Sequence, residues 1–285
     1  MRATINGVQI GYDDYGQGPT VLFIHDCPLN RKMWQPQVDP LVAAGFRVVL
    51  VDLRGFGESS LDVENVGIHT YSSDIIGLLN YLGVGRAVVC GLSLGGYILF
   101  DLMENYPQRI AGACLATSRP VSDDIHETAR RTELISALQN GQVDQVREEM
   151  FCMLIAGQEK SLPATIKDEV WGWVKSIKGK TLDVALQAIG HRKDYTSQLK
   201  GMKIPTLLVG ADQDPITHHN HTDIMAEHLP NCYKAVKLSG GHLVNMERAD
   251  EFNELFLDFL NNLSPQRKLL IDVDDDEEID FCPVL

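Results

Sequence analysis

The sequence has no apolar run near the roughly 18 residues that a membrane-spanning helix needs, and it does not open on a basic stretch leading into apolar residues. A cytoplasmic protein with no membrane partner is the expectation. Its six cysteines (27, 90, 114, 152, 232 and 282) have no paired spacing and form no Cys-x-x-Cys. That excludes a secreted disulfide framework and suits reduced thiols at Cys27, Cys90 and Cys114, which sit in or beside apolar strands. Basic side chains are also scarce, with 25 Lys and Arg against 39 Asp and Glu, for a net charge of −14. Such a balance argues against nucleic acid or an anionic membrane surface as a partner. Half of the excess lies in one place, because Asp272 to Glu278 with Asp280 contains seven acids and no base. There is no internal repeat.

What is present is enough chain, 285 residues, for one large α/β domain with an insertion. Asn6-Gly7 between Arg2–Ile5 and Val8–Asp14 signals an opening antiparallel hairpin. Thr20–Ile24 and Phe46–Val51 are continuous apolar runs, the mark of parallel strands buried on both faces. Helical patterns at 33–44 and 71–82 alternate with them, followed by a strand at 86–89, a helix from 97, and a strand at 110–116. This rhythm predicts a mostly parallel sheet of about eight strands with helices on both faces. It breaks between 121 and 197, where four helical stretches (124–138, 143–155, 164–177 and 182–189) predict an inserted all-helical cap. Strands return at 204–210 and 233–238, and a helix at 249–263 closes the fold. The expected organisation is a core at 1–120 and 198–263, a cap at 121–197, and an acidic tail at 264–285. The tail reads as mobile, with apolar ends that leave open a docked strand or a contact with a second subunit, so monomer and homodimer both stand.

The central motif is Gly91-Leu92-Ser93-Leu94-Gly95-Gly96 between a strand and a helix. Gly-x-Ser-x-Gly in that context predicts a nucleophile elbow, with a serine at the tip of a sharp turn whose close backbone approaches require glycine. A serine hydroxyl needs a base, and the base needs an orienting acid. Gly241-His242 follows the last strand, and Gly210-Ala211-Asp212-Gln213-Asp214-Pro215 follows the strand before it, giving the order serine, acid, histidine.

These motifs, with Asp52-Leu53-Arg54-Gly55-Phe56-Gly57-Glu58-Ser59, resemble the α/β-hydrolase family over residues 2–263. The nearer likeness is to the branch of 3-oxoadipate enol-lactonases, small carboxylesterases and cofactor-free haloperoxidases. The resemblance implies Ser93 as nucleophile, His242 as general base and Asp214 as acid, with Asp212 its rival on an exposed turn. It implies an oxyanion hole from the Leu94 and Cys27 N–H groups, with Cys27 a lining residue rather than a second nucleophile. The family has His-Gly-x where this chain has His25-Asp26-Cys27. A carboxylate at Asp26 opposes a developing oxyanion unless it points away or is bonded to loop N–H groups. Asp52 and Arg54 read as ties behind the elbow.

His25, Asp26, Trp34, Met153 and Trp171 are the candidate pocket residues, with core packing the competing reading for Trp34, Trp171 and Met153 and at most one of Trp171 and Trp173 facing the site. His218, His219 and His221 could suggest a metal, but they read as a polar surface turn or helix start, and neither metal nor cofactor is expected. The implied function is hydrolysis of small carboxylic esters or enol-lactones. The alternatives are a hydrolase-fold ligand receptor with little turnover and a C–C bond hydrolase using the same three residues. A serine at the elbow argues against haloalkane dehalogenase and epoxide hydrolase chemistry, which need a carboxylate there.

Overall fold

A computed structural model describes residues 1–62, 66–158 and 162–263, so the expectations placed on the tail at 264–285 lie outside the described residues. The chain begins with β1 (Arg2–Ile5) and β2 (Val8–Tyr15). Asn6 and Gly7 between them have φ of 47° and 80°, as a tight two-residue hairpin requires. Then follow β3 (Thr20–Ile24), α1 (Gln35–Ala43), β4 (Arg47–Val51), α2 (Ile68–Tyr81), β5 (Ala87–Leu92), α3 (Leu94–Asn105) and β6 (Ile110–Ala116). Four consecutive helices come next: α4 (Ile125–Gln139), α5 (Val143–Ile155), α6 (Ala164–Ser176) and α7 (Gly179–Gly190). The sheet resumes with β7 (Thr206–Ala211), α8 (Asn220–His228) and β8 (Cys232–Leu238), and the chain continues through the short α9 (Val244–Glu247) into α10 (Ala249–Asn262).

The eight strands form one sheet in the order β1-β2-β4-β3-β5-β6-β7-β8, parallel from β4 to β8 and antiparallel at β1 and β2. Alternation along β3 shows why its run is continuously apolar. Leu22 and Ile24 join the core under α2 and α3, while Val21 and Phe23 join the core under α1 and α10. A strand covered on both faces has no solvent side to mark with polar residues. β5 runs past the expected 86–89 to Leu92, so the strand ends only at the residue before Ser93. The histidine-rich stretch lies at a helix start, as expected, and the helix runs over Asn220–His228. Among the described residues, no helix is long and apolar enough to cross a membrane.

This topology decides which loops meet. β3 and β5 are neighbours, and so are β7 and β8. The loops carrying Asp26, Ser93, Asp214 and His242 therefore all leave the sheet at the carboxyl ends of its strands, where α/β sheets place their ligands. Helices α4, α5 and α7 lie over that end and contribute residues to one cavity. The start of α4 is fixed by a capping box: the Asp124 carboxylate accepts from the N–H groups of His126 and Glu127, both at 2.8 Å. Glu127 Oε2 in turn accepts from the Asp124 N–H at 2.9 Å.

Candidate active site

Ser93 stands between β5 and α3 with φ 52° and ψ −107°, a conformation a non-glycine residue adopts only under constraint. The constraint is close backbone packing. A Cβ at Gly91 would lie 2.3 Å from the Gly95 carbonyl oxygen, and one at Gly95 would lie 2.2 Å from that of Ile24. From behind, Ser118 Oγ donates to the Ser93 carbonyl at 3.1 Å.

His242 is fully buried and bonded through Nδ1 to Asp214 Oδ2 at 2.8 Å. The other Asp214 oxygen accepts from the N–H groups of Ile216 (2.8 Å) and Thr217 (3.1 Å), so this carboxylate cannot rotate away from the imidazole. Asp212, the rival acid, is exposed and accepts from the Gly240 N–H at 3.1 Å, tying the β7 loop to the β8 loop. Two further residues hold the histidine loop. Thr117 Oγ1 donates to the His242 carbonyl at 3.0 Å. Glu247 accepts from the N–H groups on both sides of the histidine, Gly241 at 2.7 Å and Leu243 at 3.1 Å.

Asp26 has the least expected position. Its Oδ1 accepts from the Leu94 N–H at 3.2 Å, and its Oδ2 faces His242 Nε2 at 3.3 Å. The second contact is an ion pair only when His242 is protonated, and it is not an aligned hydrogen bond, since Nε2 has no hydrogen-bond partner of good geometry. The carboxylate therefore neither points away nor binds its own loop; it takes the N–H of the elbow. Asp26 is also not among the residues with positive φ, so its backbone carries no strain that would call for glycine. Burial alone would push the His242 imidazolium to lower pKa, but Asp214 and then Asp26 outweigh it and hold the group well above its ordinary value. Burial pushes the Cys27 thiol well up, which suits a lining residue and not a nucleophile.

Ser93, His242, Asp26, Cys27 and Met153 share a cavity of about 100 Å³. Its remaining walls are apolar, from residues such as Leu134, Met150, Leu186 and Ile216, except for Tyr97 and Arg131. A larger open groove of about 1000 Å³ lies at the opposite ends of the strands, beside Arg86, Ile110 and Pro205, and touches none of these residues.

Three expected pocket residues are not on the cavity wall. His25 is buried beneath it, with Nδ1 on the Asp26 carbonyl at 2.8 Å and Nε2 accepting from the Leu53 N–H at 3.0 Å. That pair of bonds fixes a neutral tautomer, and burial lowers its pKa in the same sense. Trp34 packs in the core against Phe23 and Phe252, with ring centroids at 4.8 and 6.0 Å. Trp171 packs on Phe151 within the helical layer, 5.2 Å between centroids. Asp52 and Arg54 do tie loops, through partners the sequence did not suggest. Asp52 bonds the side chain of Arg31 and, at 2.9 Å, its N–H, while Arg54 grips Asp74 of α2 with two bonds of 2.8 Å. His218 and His219 pack against each other at the head of α8, their rings tilted by 32° with centroids 4.3 Å apart. Among the described residues, no group of three or more His, Cys, Asp or Glu is placed to share a metal ion.

A hydroxyl on a strained elbow, a histidine oriented by a buried carboxylate and a backbone N–H beside them can together deprotonate and stabilise an acyl-transfer centre. The family described as alpha/beta hydrolase fold matches residues 19–249. The chain is an α/β-hydrolase. This hydrolase is 30% identical over 274 residues to a non-heme chloroperoxidase, CPO-A1, of Kitasatospora aureofaciens, covering 90% of this chain and 98% of the relative. It is 24% identical over 245 residues to 3-oxoadipate enol-lactonase 1 of Acinetobacter baylyi, covering 86% and 90%. Among solved structures it superposes on a thermophilic esterase from Thermogutta terrifontis with a TM-score of 0.85 at 27% identity, covering 92% of this chain and 98% of that one.

Proposed function

We propose that this α/β-hydrolase is a serine hydrolase of small carboxylic esters or enol-lactones, working through an acyl-enzyme. The observation that carries the reading is the buried Asp214–His242 pair, 2.8 Å apart, opening onto the same cavity as the elbow serine. Ser93 Oγ attacks the carbonyl carbon while His242 Nε2 takes its proton. The tetrahedral intermediate collapses, the C–O bond to the leaving group breaks, and His242 returns the proton to the departing oxygen. Water, deprotonated by His242, then attacks the acyl carbon and releases the acid and Ser93. Asp214 fixes the tautomer and stabilises the imidazolium of both half-reactions. Leu94 N–H is the donor for the oxyanion, with Cys27 N–H the second.

The test is hydrolysis of p-nitrophenyl acetate and butyrate by wild type and Ser93→Ala, with a fluorophosphonate probe to label the nucleophile. The reading expects turnover and a serine adduct in wild type and neither in Ser93→Ala. Equal rates for the two proteins and no adduct would overturn it. One observation favours a second reading, a ligand receptor with little turnover: the Asp26 carboxylate already holds the Leu94 N–H. Tight ligand binding without an adduct in the same assay would support that reading.

A further inference from the structure

In the acyl-transfer scheme Asp26 takes part in no bond change, yet its carboxylate lines the cavity with Ser93 and His242, 3% exposed. An oxyanion must lie about 2.7–3.1 Å from its donor. Asp26 Oδ1, at 3.2 Å from the Leu94 nitrogen, stands in that place. Two oxygens cannot share it, and a carboxylate left beside it would repel the charge that develops on the substrate. For a substrate carbonyl to bind productively, the Asp26 side chain has to move, and a buried carboxylate moves only to another partner.

The cavity offers one. Arg131, from α4, lines the same cavity as Asp26 and Cys27. Arg131 is held by Asp123 through Nε (2.5 Å) and Nη2 (3.1 Å), which leaves Nη1 outside that fork. Asp123 does not depend on Arg131 alone, since it also pairs with Arg119 at 3.2 Å and with Arg192 at 2.5 Å.

We propose that Asp26 is a specificity-determining residue whose carboxylate competes with the substrate carbonyl for the Leu94 N–H, and that Arg131 receives it when a substrate displaces it. The inference rests on the serine-hydrolase reading and adds a substrate class. An acyl group ending in its own carboxylate competes with Asp26 for Arg131 and holds Asp26 in the oxyanion position. Uncharged short acyl groups leave Arg131 open. The site thus selects neutral acyl esters over dicarboxylic half-esters.

The experiment compares full-length wild type, Asp26→Asn, Asp26→Gly, Arg131→Gln and the Asp26→Asn/Arg131→Gln double variant. Substrates are p-nitrophenyl butyrate and the p-nitrophenyl half-ester of succinate, and folding is monitored by thermal melting. The expected results are a rise of about tenfold or more in kcat/KM for butyrate in Asp26→Asn and Asp26→Gly, and a fall in Arg131→Gln. In the Asp26→Asn background the Arg131→Gln penalty shrinks by about tenfold, the coupling expected of interacting residues. The preference for butyrate over the half-ester falls in the Asp26 variants. The proposal is overturned if the folded Asp26 variants are labelled by fluorophosphonate as fast as wild type yet hydrolyse butyrate no faster, or if the two substitutions are additive. Absence of any serine adduct, with Ser93→Ala as active as wild type, would overturn the hydrolase reading and this inference with it.

Discussion

At the scale of single residues, His242 lies between two carboxylates, with Asp214 on Nδ1 and Asp26 facing Nε2. Glu247, which grips the loop on either side, adds a third nearby acid. As the proposed general base His242 works only when neutral, and its pKa is held well above the ordinary histidine value. The acid limb of kcat/KM should therefore have its midpoint above pH 6.5, with activity rising as pH climbs through it. Asp26→Asn removes one of the carboxylates and should move that midpoint down. Asp214→Asn removes the orienting bond as well and should cost about 10³–10⁴-fold in kcat. A pH–rate series on the three proteins checks both expectations. An Asp26→Asn profile superimposable on wild type would remove Asp26 from the account of the histidine.

At the scale of elements, the short helix α9 acts as a clamp on the loop before it. Glu247 sits at its last position and accepts from the Gly241 and Leu243 N–H groups, and burial raises its pKa despite those two bonds. Glu247→Ala leaves both donors without their partner, at a cost of about 1–3 kcal/mol for each one that stays dry, and loosens His242. A lower melting temperature and a lower kcat with little change in KM are expected. Unchanged kcat in a destabilised variant would restrict Glu247 to stability alone.

The same clamp shows what could be read from the chain. Ser93, its glycines and the Asp214–Pro215 turn are legible because their constraints are local: a turn of fixed shape admits few residues. Arg31, Glu247 and the Thr117–Ser118 pair are harder, because each owes its role to a partner on another element. Trp34, which the sequence leaves open between pocket wall and core packing, is decided in the same way. It lies close to the oxyanion loop in sequence, but a single 3-10 turn, Arg31–Trp34, directs it into the core beside Phe252. The reach of Asp26 to Leu94 depends on β3 and β5 being neighbours, a matter of sheet order that a strand pattern does not encode.

At the scale of the whole molecule, the strand ends and the helices over them bound a cavity of only about 100 Å³, well below the roughly 300–1,000 Å³ of an ordinary small-molecule pocket. A short acyl group fills that space. Rates with p-nitrophenyl acetate and butyrate should exceed those with the octanoate by about tenfold or more, and a chain-length series would measure it. Octanoate turned over as readily as butyrate would mean that α4, α5 and α7 part much further than they do here.

The bonds from Thr117 to the His242 carbonyl and from Ser118 to the Ser93 carbonyl give the molecule a common mount for the proposed nucleophile and base. Both anchors hang from adjacent residues at the end of one buried strand, β6, and neither passes through the helical layer above. The roof can breathe, or be rebuilt for another acyl group, without carrying the nucleophile and the base apart. Alignment is thereby decoupled mechanically from the roof: the sheet holds the proposed nucleophile and base in place, and the helices bound the space above them.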